Sequence, residues 1–168
     1  MLFITWRLHG SLAPDRVFPP ETTAGSAFVA MDSLLDHATS GPLHLRRPEI
    51  ARVVVDAIRH GEEQMGYYRC HAFVVMANHV HLLITPLVEV AKITHALKRF
   101  TARSANQILG LTGQTFWQDE SYDHLVRDDQ EFDRIVRYIE NNPVKAGLVA
   151  QPEEFPWSTA SLRVGQAD

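Results

Sequence analysis

Two histidines two residues apart, in the run HVHLLIT, are the first residues whose types and spacing suggest chemistry. Side chains alternate between the faces of a strand, so His79 and His81 share one face while Val80, Leu82 and Ile84 take the other. Paired imidazoles on the free face of a sheet can reach one divalent ion, and the softness of these donors admits zinc or manganese. The same pair also fits two half-exposed histidines with no ligand. Further on, Tyr138 and Asn142 stand four residues apart in RYIENNP, so they project from one side of a helix one turn apart. A phenol is overwhelmingly protonated at neutral pH and becomes a nucleophile only with help. Taken singly, Tyr138 also fits packing at a rim, and Asn142 before Pro143 also fits a helix stop.

The elements around these residues decide whether they can meet. Leu2 to His9 reads as a strand, and the Pro, Gly and Thr-rich stretch from Gly10 to Ser26 as a long connection. Ala27 to His37 is predicted as a helix closed by a Thr-Ser-Gly-Pro turn, and a second helix starts at Pro48 and runs to about Gly66. Tyr67 to Met76 is a strand, joined through Ala77 and Asn78 to HVHLLIT as a hairpin. Glu89 to Leu109 is helical, with Val90, Ile93, Leu97, Phe100 and Ser104 on one side, Lys92, Arg99 and Arg103 on another, and Gly110 to end it.

A short strand follows from Tyr122 to Arg127, and Asp128 with Glu131 forms a capping box. Phe132, Ile135, Val136 and Ile139 then give the stripe of a last helix, stopped by Pro143. This order is that of an α+β, ferredoxin-like split βαβ sandwich: an antiparallel sheet with two helical segments packed on one face. The tyrosine helix then falls on the opposite face, where its stripe would dock it and bring Tyr138 and Asn142 to the histidines.

The bulk composition fits one ordinary globular domain. The 168 residues are 45% apolar and 21% charged, which excludes disordered, collagen-like and membrane classes. The expected division is one domain over 1–158 and a C-terminal tail over 159–168. A single cysteine, Cys70, in an apolar run, and the lack of any long apolar segment point to a reducing, cytoplasmic setting. The net charge of −4 argues against broad binding to nucleic acid. Charge is segregated, however: Lys92, Lys98, Arg99 and Arg103 occur between Val90 and Gln118 without one acid, while the acids crowd the segment from Asp119 to Glu154.

The succession VVMANHVHLLITP, a basic helix, FWQDESYDHLVRD and YIENNPVKAGLV resembles the HUH single-tyrosine transposases, and most closely the REP-associated tyrosine transposases, in order from about Leu2 to Ser158. The resemblance implies that His79 and His81 bind a divalent metal, magnesium or manganese, that Asn142 stands where relatives place a third polar ligand, and that Tyr138 attacks DNA. Two imidazoles and an amide would leave the ion nearly all its charge for the scissile phosphate. The implied products are a 5′-phosphotyrosine link and a free 3′-hydroxyl. Single-stranded or hairpin DNA from repeated palindromes is the implied partner, and the resemblance leaves monomer and homodimer both open.

For DNA contact, Lys92, Arg99 and Arg103 can neutralise phosphates, and Trp117 and Phe116 can stack on unpaired bases, although a solvated helix face and core aromatics fit as well. His124, on the strand YDHLVR, can touch DNA, assist proton transfer or simply pack. Two other functions fit the residues: a DNA-binding regulator with the same fold and no turnover, and a metal-dependent phosphodiesterase in which water replaces Tyr138 as the nucleophile.

Overall fold

The computed structural model describes residues 1–12 and 24–164, so most of the long connection expected before the first helix lies outside the described residues. Strands β1 (Leu2–Arg7), β2 (Tyr68–Val75), β3 (His79–Pro86) and β4 (Tyr122–Leu125) form one sheet in the order β2-β3-β1-β4. Every neighbouring pair is antiparallel, as expected for the ferredoxin-like sandwich. Helices α1 (Ala24–Asp36), α2 (Pro48–Glu63), α3 (Val90–Leu109), α4 (Asp129–Lys145) and α5 (Thr159–Val164) surround it.

The β2–β3 hairpin closes through the Met76 amide, which donates to the His79 carbonyl at 2.9 Å across Ala77 and Asn78. No non-glycine residue among those described has positive φ, so the turn is not the mirror-image type that Asn-Gly favours. In the resulting register Thr5 lies opposite His81 and Phe3 opposite Leu83. A bulge in β2 between Cys70 and Ala72 gives that strand one extra residue against β3.

Strict alternation on β1 and β3 divides the interior in two. Ile4, Trp6, Val80, Leu82 and Ile84 face α2 and α3, meeting Ile50, Val54, Ile58, Ile93 and Leu97. Phe3, Ala72, Val74 and Leu83 face the other way, meeting Ile139 of α4 and Phe28 of α1. The first helix therefore shares the histidine face with the tyrosine helix, where the sequence had suggested α4 alone. Its apolar residues explain this placement: Phe28 and Leu35, both buried, lie nearly two turns apart on one side of α1.

Four other expectations need correction. On α3 the buried stripe is Ile93, Leu97, Thr101 and Ala105, repeating every fourth residue, and Phe100 is 58% exposed. Trp117, expected to stack on DNA bases, is buried in the core instead. Its ring meets Trp6 edge-on at 6.1 Å and its Nε1 donates to Thr101 Oγ1 at 2.9 Å, so no face is free for a base. Phe116 is buried beside it.

The last helix does not stop at Pro143 but runs through it to Lys145. Proline costs one helical hydrogen bond, yet its fixed φ suits a helix that is about to end. The closure is a Schellman motif: the Gly147 amide donates to Val144 O and the Leu148 amide to Pro143 O, both at 2.9 Å. Gly147 takes the left-handed φ of 70° that this motif requires.

Finally, the segment expected to be a tail begins as part of the packed domain. The Phe73 amide donates to Thr159 Oγ1 at 3.2 Å and Arg163 of α5 pairs with Glu140 at 2.8 Å, just past the point where Ser158 bridges Val74 on the edge of β2. Residues 165–168 lie outside the described residues. Among the described residues, no helix is long and apolar enough to cross a membrane.

Candidate active site

On β3, His79 and His81 point away from α2 and α3 and are fully buried, with ring centres 4.7 Å apart. Each ring is held by a neighbour that the hairpin register supplies. Thr5, opposite His81 on β1, places Oγ1 2.6 Å from His81 Nδ1. Asn78, in the turn, places Oδ1 2.8 Å from His79 Nδ1, while its Nδ2 donates to the Leu35 carbonyl of α1 at 3.1 Å. With its amide group donating to Leu35, the Asn78 oxygen can only accept, so His79 carries its proton on Nδ1 and turns the bare lone pair of Nε2 inward.

What faces that lone pair is acidic. Asp32 and Asp36, one turn apart on α1, each place Oδ1 3.5 Å from His79 Nε2, and Asp32 Oδ1 is also 3.0 Å from His81 Nε2. Asp32 Oδ1, Asp36 Oδ1, His79 Nε2 and Asn142 Oδ1 are all buried without an aligned hydrogen-bond partner. Four orphaned polar atoms in one place are what a bound cation would satisfy. One ligand atom from each of Asp32, His79 and His81 lies within 4.8 Å of the others, so these residues fit a divalent ion. Asp32 thus adds a carboxylate to a donor set that reads as neutral in the sequence.

The protonation states suit a ligand set. Burial, reinforced by His81 and opposed by Asp32, pushes the His79 imidazole down to about 3, so it is neutral at physiological pH. Burial also opposes charge on Asp32, but His81, His79 and Lys145 together outweigh it and hold this carboxyl below the usual range. Burial and the neighbouring Asp32 raise Asp36 to about 6; His81, Lys145 and His37 also draw it down, but they are outweighed.

Helix α4 brings the other two predicted residues here. Asp128 caps it by accepting from the Glu131 amide at 2.7 Å, and Ile139 anchors it in the second core. Tyr138 is half-buried, its ring centre 5.6 Å from His81 and in edge contact with Phe3 at 6.2 Å. Lys145 holds its Nζ 4.7 Å above the Tyr138 ring. Asn142 is fully buried, with Nδ2 3.4 Å from both His81 Nε2 and Asp32 Oδ2.

The structure therefore gathers His79, His81, Tyr138 and Asn142, and leaves the basic residues elsewhere. Lys92, Arg99 and Arg103 are exposed on α3, which packs on the opposite face of the sheet, and Lys92 lies over the Tyr67 ring at 4.8 Å. His124 is on the active-site side, where its Nε2 lies 2.9 Å from Glu131 Oε1 and ties β4 to the first turn of α4. Sequence reasoning missed Asp32, Asp36, Asn78 and Lys145. The only signal for the two acids was their spacing: FVAMDSLLD carries a pair of carboxylates one turn apart on an otherwise apolar helix.

Residues 47–142 match the family described as Transposase IS200 like. The chain is 28% identical over 120 residues to the REP-associated tyrosine transposase of Escherichia coli (strain K12), covering 70% of this chain and 71% of that protein. A solved structure of a REP-associated tyrosine transposase bound to a REP hairpin superposes with a TM-score of 0.62 at 20% identity, covering 98% of this chain and 79% of that one, which establishes a shared fold. The family match takes in both histidines, Tyr138 and Asn142, and the chain belongs to the IS200-like transposases, with its similarity running to the REP-associated tyrosine transposases.

Proposed function

We propose that this transposase cleaves and rejoins single-stranded or hairpin DNA from repeated palindromes through a covalent bond to Tyr138, using magnesium or manganese held by His79, His81 and Asp32 with Asn142 beside them. The observation that carries this reading is the Tyr138 ring 5.6 Å from His81, at the edge of a buried pocket of unpartnered ligand atoms. The hairpin substrate follows from the relative solved with a REP hairpin.

Tyr138 Oη attacks the scissile phosphorus, forming an ester with the 5′ phosphate of the fragment on the 3′ side of the break. The bond from phosphorus to the 3′ oxygen breaks, that oxygen leaves with a proton as a 3′-hydroxyl, and the phenol proton is lost. Bound in the pocket, a divalent cation supplies charge that offsets what gathers on the phosphate oxygens. Thr5 and Asn78 hold the two imidazoles in place, which keeps both Nε2 atoms turned inward. The Lys145 ammonium above the Tyr138 ring adds a positive charge where the phenol must give up its proton. Because a phosphate ester replaces a phosphate ester, a 3′-hydroxyl from another strand can reverse the step and join DNA without an outside energy source.

Contacts outside the pocket fall to other residues. Lys92, Arg99 and Arg103 offer charge to flanking phosphates from the α3 side, and His124 lies on the active-site face beside Tyr122. Incubation with end-labelled hairpin DNA and manganese tests the reading. A protein–DNA adduct that survives denaturation in the wild type and vanishes in Tyr138→Phe supports it. Cleavage without an adduct would assign the attack to water instead.

A further inference from the structure

Helix α1 is held to the sheet by few apolar side chains. Phe28 and Leu35 are buried, but Val29 is 60% and Leu34 38% exposed. The same side of the helix carries Asp32, between the two anchors, and Asp36, just beyond Leu35, into the interior, with side chains only 2% and 3% exposed. Burying two carboxylates side by side is costly unless something positive meets them. Among the described residues, no arginine or lysine forms a salt bridge with either.

Their Oδ1 atoms instead converge on His79 Nε2, each at 3.5 Å. That nitrogen offers them no proton, since Asn78 Oδ1 accepts the one on Nδ1 and the Asn78 amide is committed to Leu35 O. Two anionic oxygens therefore face a lone pair, with the unpartnered Asn142 Oδ1 close by. Every one of these atoms is an acceptor. Asp32 has His81 Nε2 at 3.0 Å and the Asn142 amide at 3.4 Å to offset its charge, but Asp36 Oδ1, His79 Nε2 and Asn142 Oδ1 have no donor, and a cation among them would satisfy all three.

We infer that Asp36 joins Asp32, His79 and His81 in a pocket of two histidines and two carboxylates, and that the divalent ion bound there pins α1 to the histidine face of the sheet. This inference rests on the reading of His79 and His81 as metal ligands and adds to it a second function for the ion. Cation binding and the docking of α1 become one event, because half of the ligand set arrives on that helix. The Asn78 bond to the Leu35 carbonyl places the contact between hairpin turn and helix next to the same pocket, so the docking reaches the ring of His79 directly.

The test uses the whole chain and manganese as the probe, with two readouts that do not involve DNA. Isothermal titration gives the manganese affinity of the wild type, His79→Ala, Asp36→Asn and the double variant Asp32→Asn with Asp36→Asn. Hydrogen exchange gives the protection of the α1 amides with and without the ion. The expected results are manganese affinity weakened about tenfold or more in Asp36→Asn, and α1 protection in the wild type that rises on adding manganese. In the double variant, α1 protection no longer responds to the ion, because α1 no longer carries a carboxylate to it.

Wild-type affinity in Asp36→Asn, or α1 protection in the wild type that is indifferent to manganese, overturns the inference while leaving a His79-dependent metal site intact. Absence of manganese binding in the wild type overturns the metal reading itself. Should a variant fail to fold, the exchange comparison on the wild-type chain alone still decides whether the ion pins α1.

Discussion

The Lys145 ammonium lies 4.7 Å above the ring of Tyr138, two turns further along the same helix. That placement depends on α4 continuing past Pro143, and it puts the one basic residue of the last helical turn over the proposed nucleophile.

If Lys145 offsets charge on the attacking phenol and its phosphate, Lys145→Ala slows formation of the covalent adduct by about tenfold, less than the loss of a fully buried oxyanion donor because the side chain is exposed. Lys145→Arg retains most of the rate. Single-turnover kinetics on hairpin DNA, with thermal melting to show an unchanged fold, checks this. Equal rates for the alanine variant and the wild type would remove Lys145 from the chemistry.

Gly61, in the last turn of α2, gives a test of packing with an unusual sign. Alanine in an exposed helix interior gains about 1 kcal/mol over glycine. Here a Cβ would collide with the ring and hydroxyl of Tyr68, whose Oη donates to Ile58 O at 2.7 Å. Gly61→Ala is therefore expected to destabilise the protein by about 1–3 kcal/mol, read as a lower midpoint in urea. A stabilised variant would contradict the packing of β2 against α2.

Cys70 supplies the pH prediction. Burial, with Glu62 adding to it, pushes its thiol up to about 12, so little thiolate forms in the folded protein near neutrality. Alkylation by iodoacetamide at pH 8 should be more than about a hundredfold slower in the native than in the denatured chain. Its rate should keep climbing past the ordinary thiol range of about 8.5, where the denatured chain levels off. Since the folded pKa is raised, the unfolded chain loses its proton first. The stability contributed by the protonated thiol is complete below about pH 8.5 and is lost as pH rises from there towards 12. Equal labelling of native and denatured protein would show that the thiol is open to solvent.

Much of the fold was legible because β1 and β3 alternate so strictly. With Val80, Leu82 and Ile84 apolar, only one face remained for His79 and His81, and the stripe through Ile139 could dock only there. Tyr138 and Asn142 followed from their helical spacing. The acids of α1 were not legible, because a helix free to cover either face gives no sign of which it covers until its apolar partners are known. Phe28 finds those partners in Phe3 and Tyr122, far away in the chain. Trp117 was misread for a related reason: an aromatic in a polar loop looks available for stacking, and only its contacts with Trp6 and Thr101 show otherwise. Pro143 misled because its effect depends on position, and two residues from a helix end it is tolerated.

The most direct test of the central claim is mass spectrometry on the protein after reaction with hairpin DNA and manganese, followed by nuclease and protease digestion. The account predicts a nucleotide attached through its 5′ phosphate to the peptide containing Tyr138, matched by a free 3′-hydroxyl on the released strand, with neither formed when His79 and His81 are replaced by alanine. A nucleotide on any other residue, or cleaved DNA with both ends free while Tyr138 stays unmodified, would contradict it.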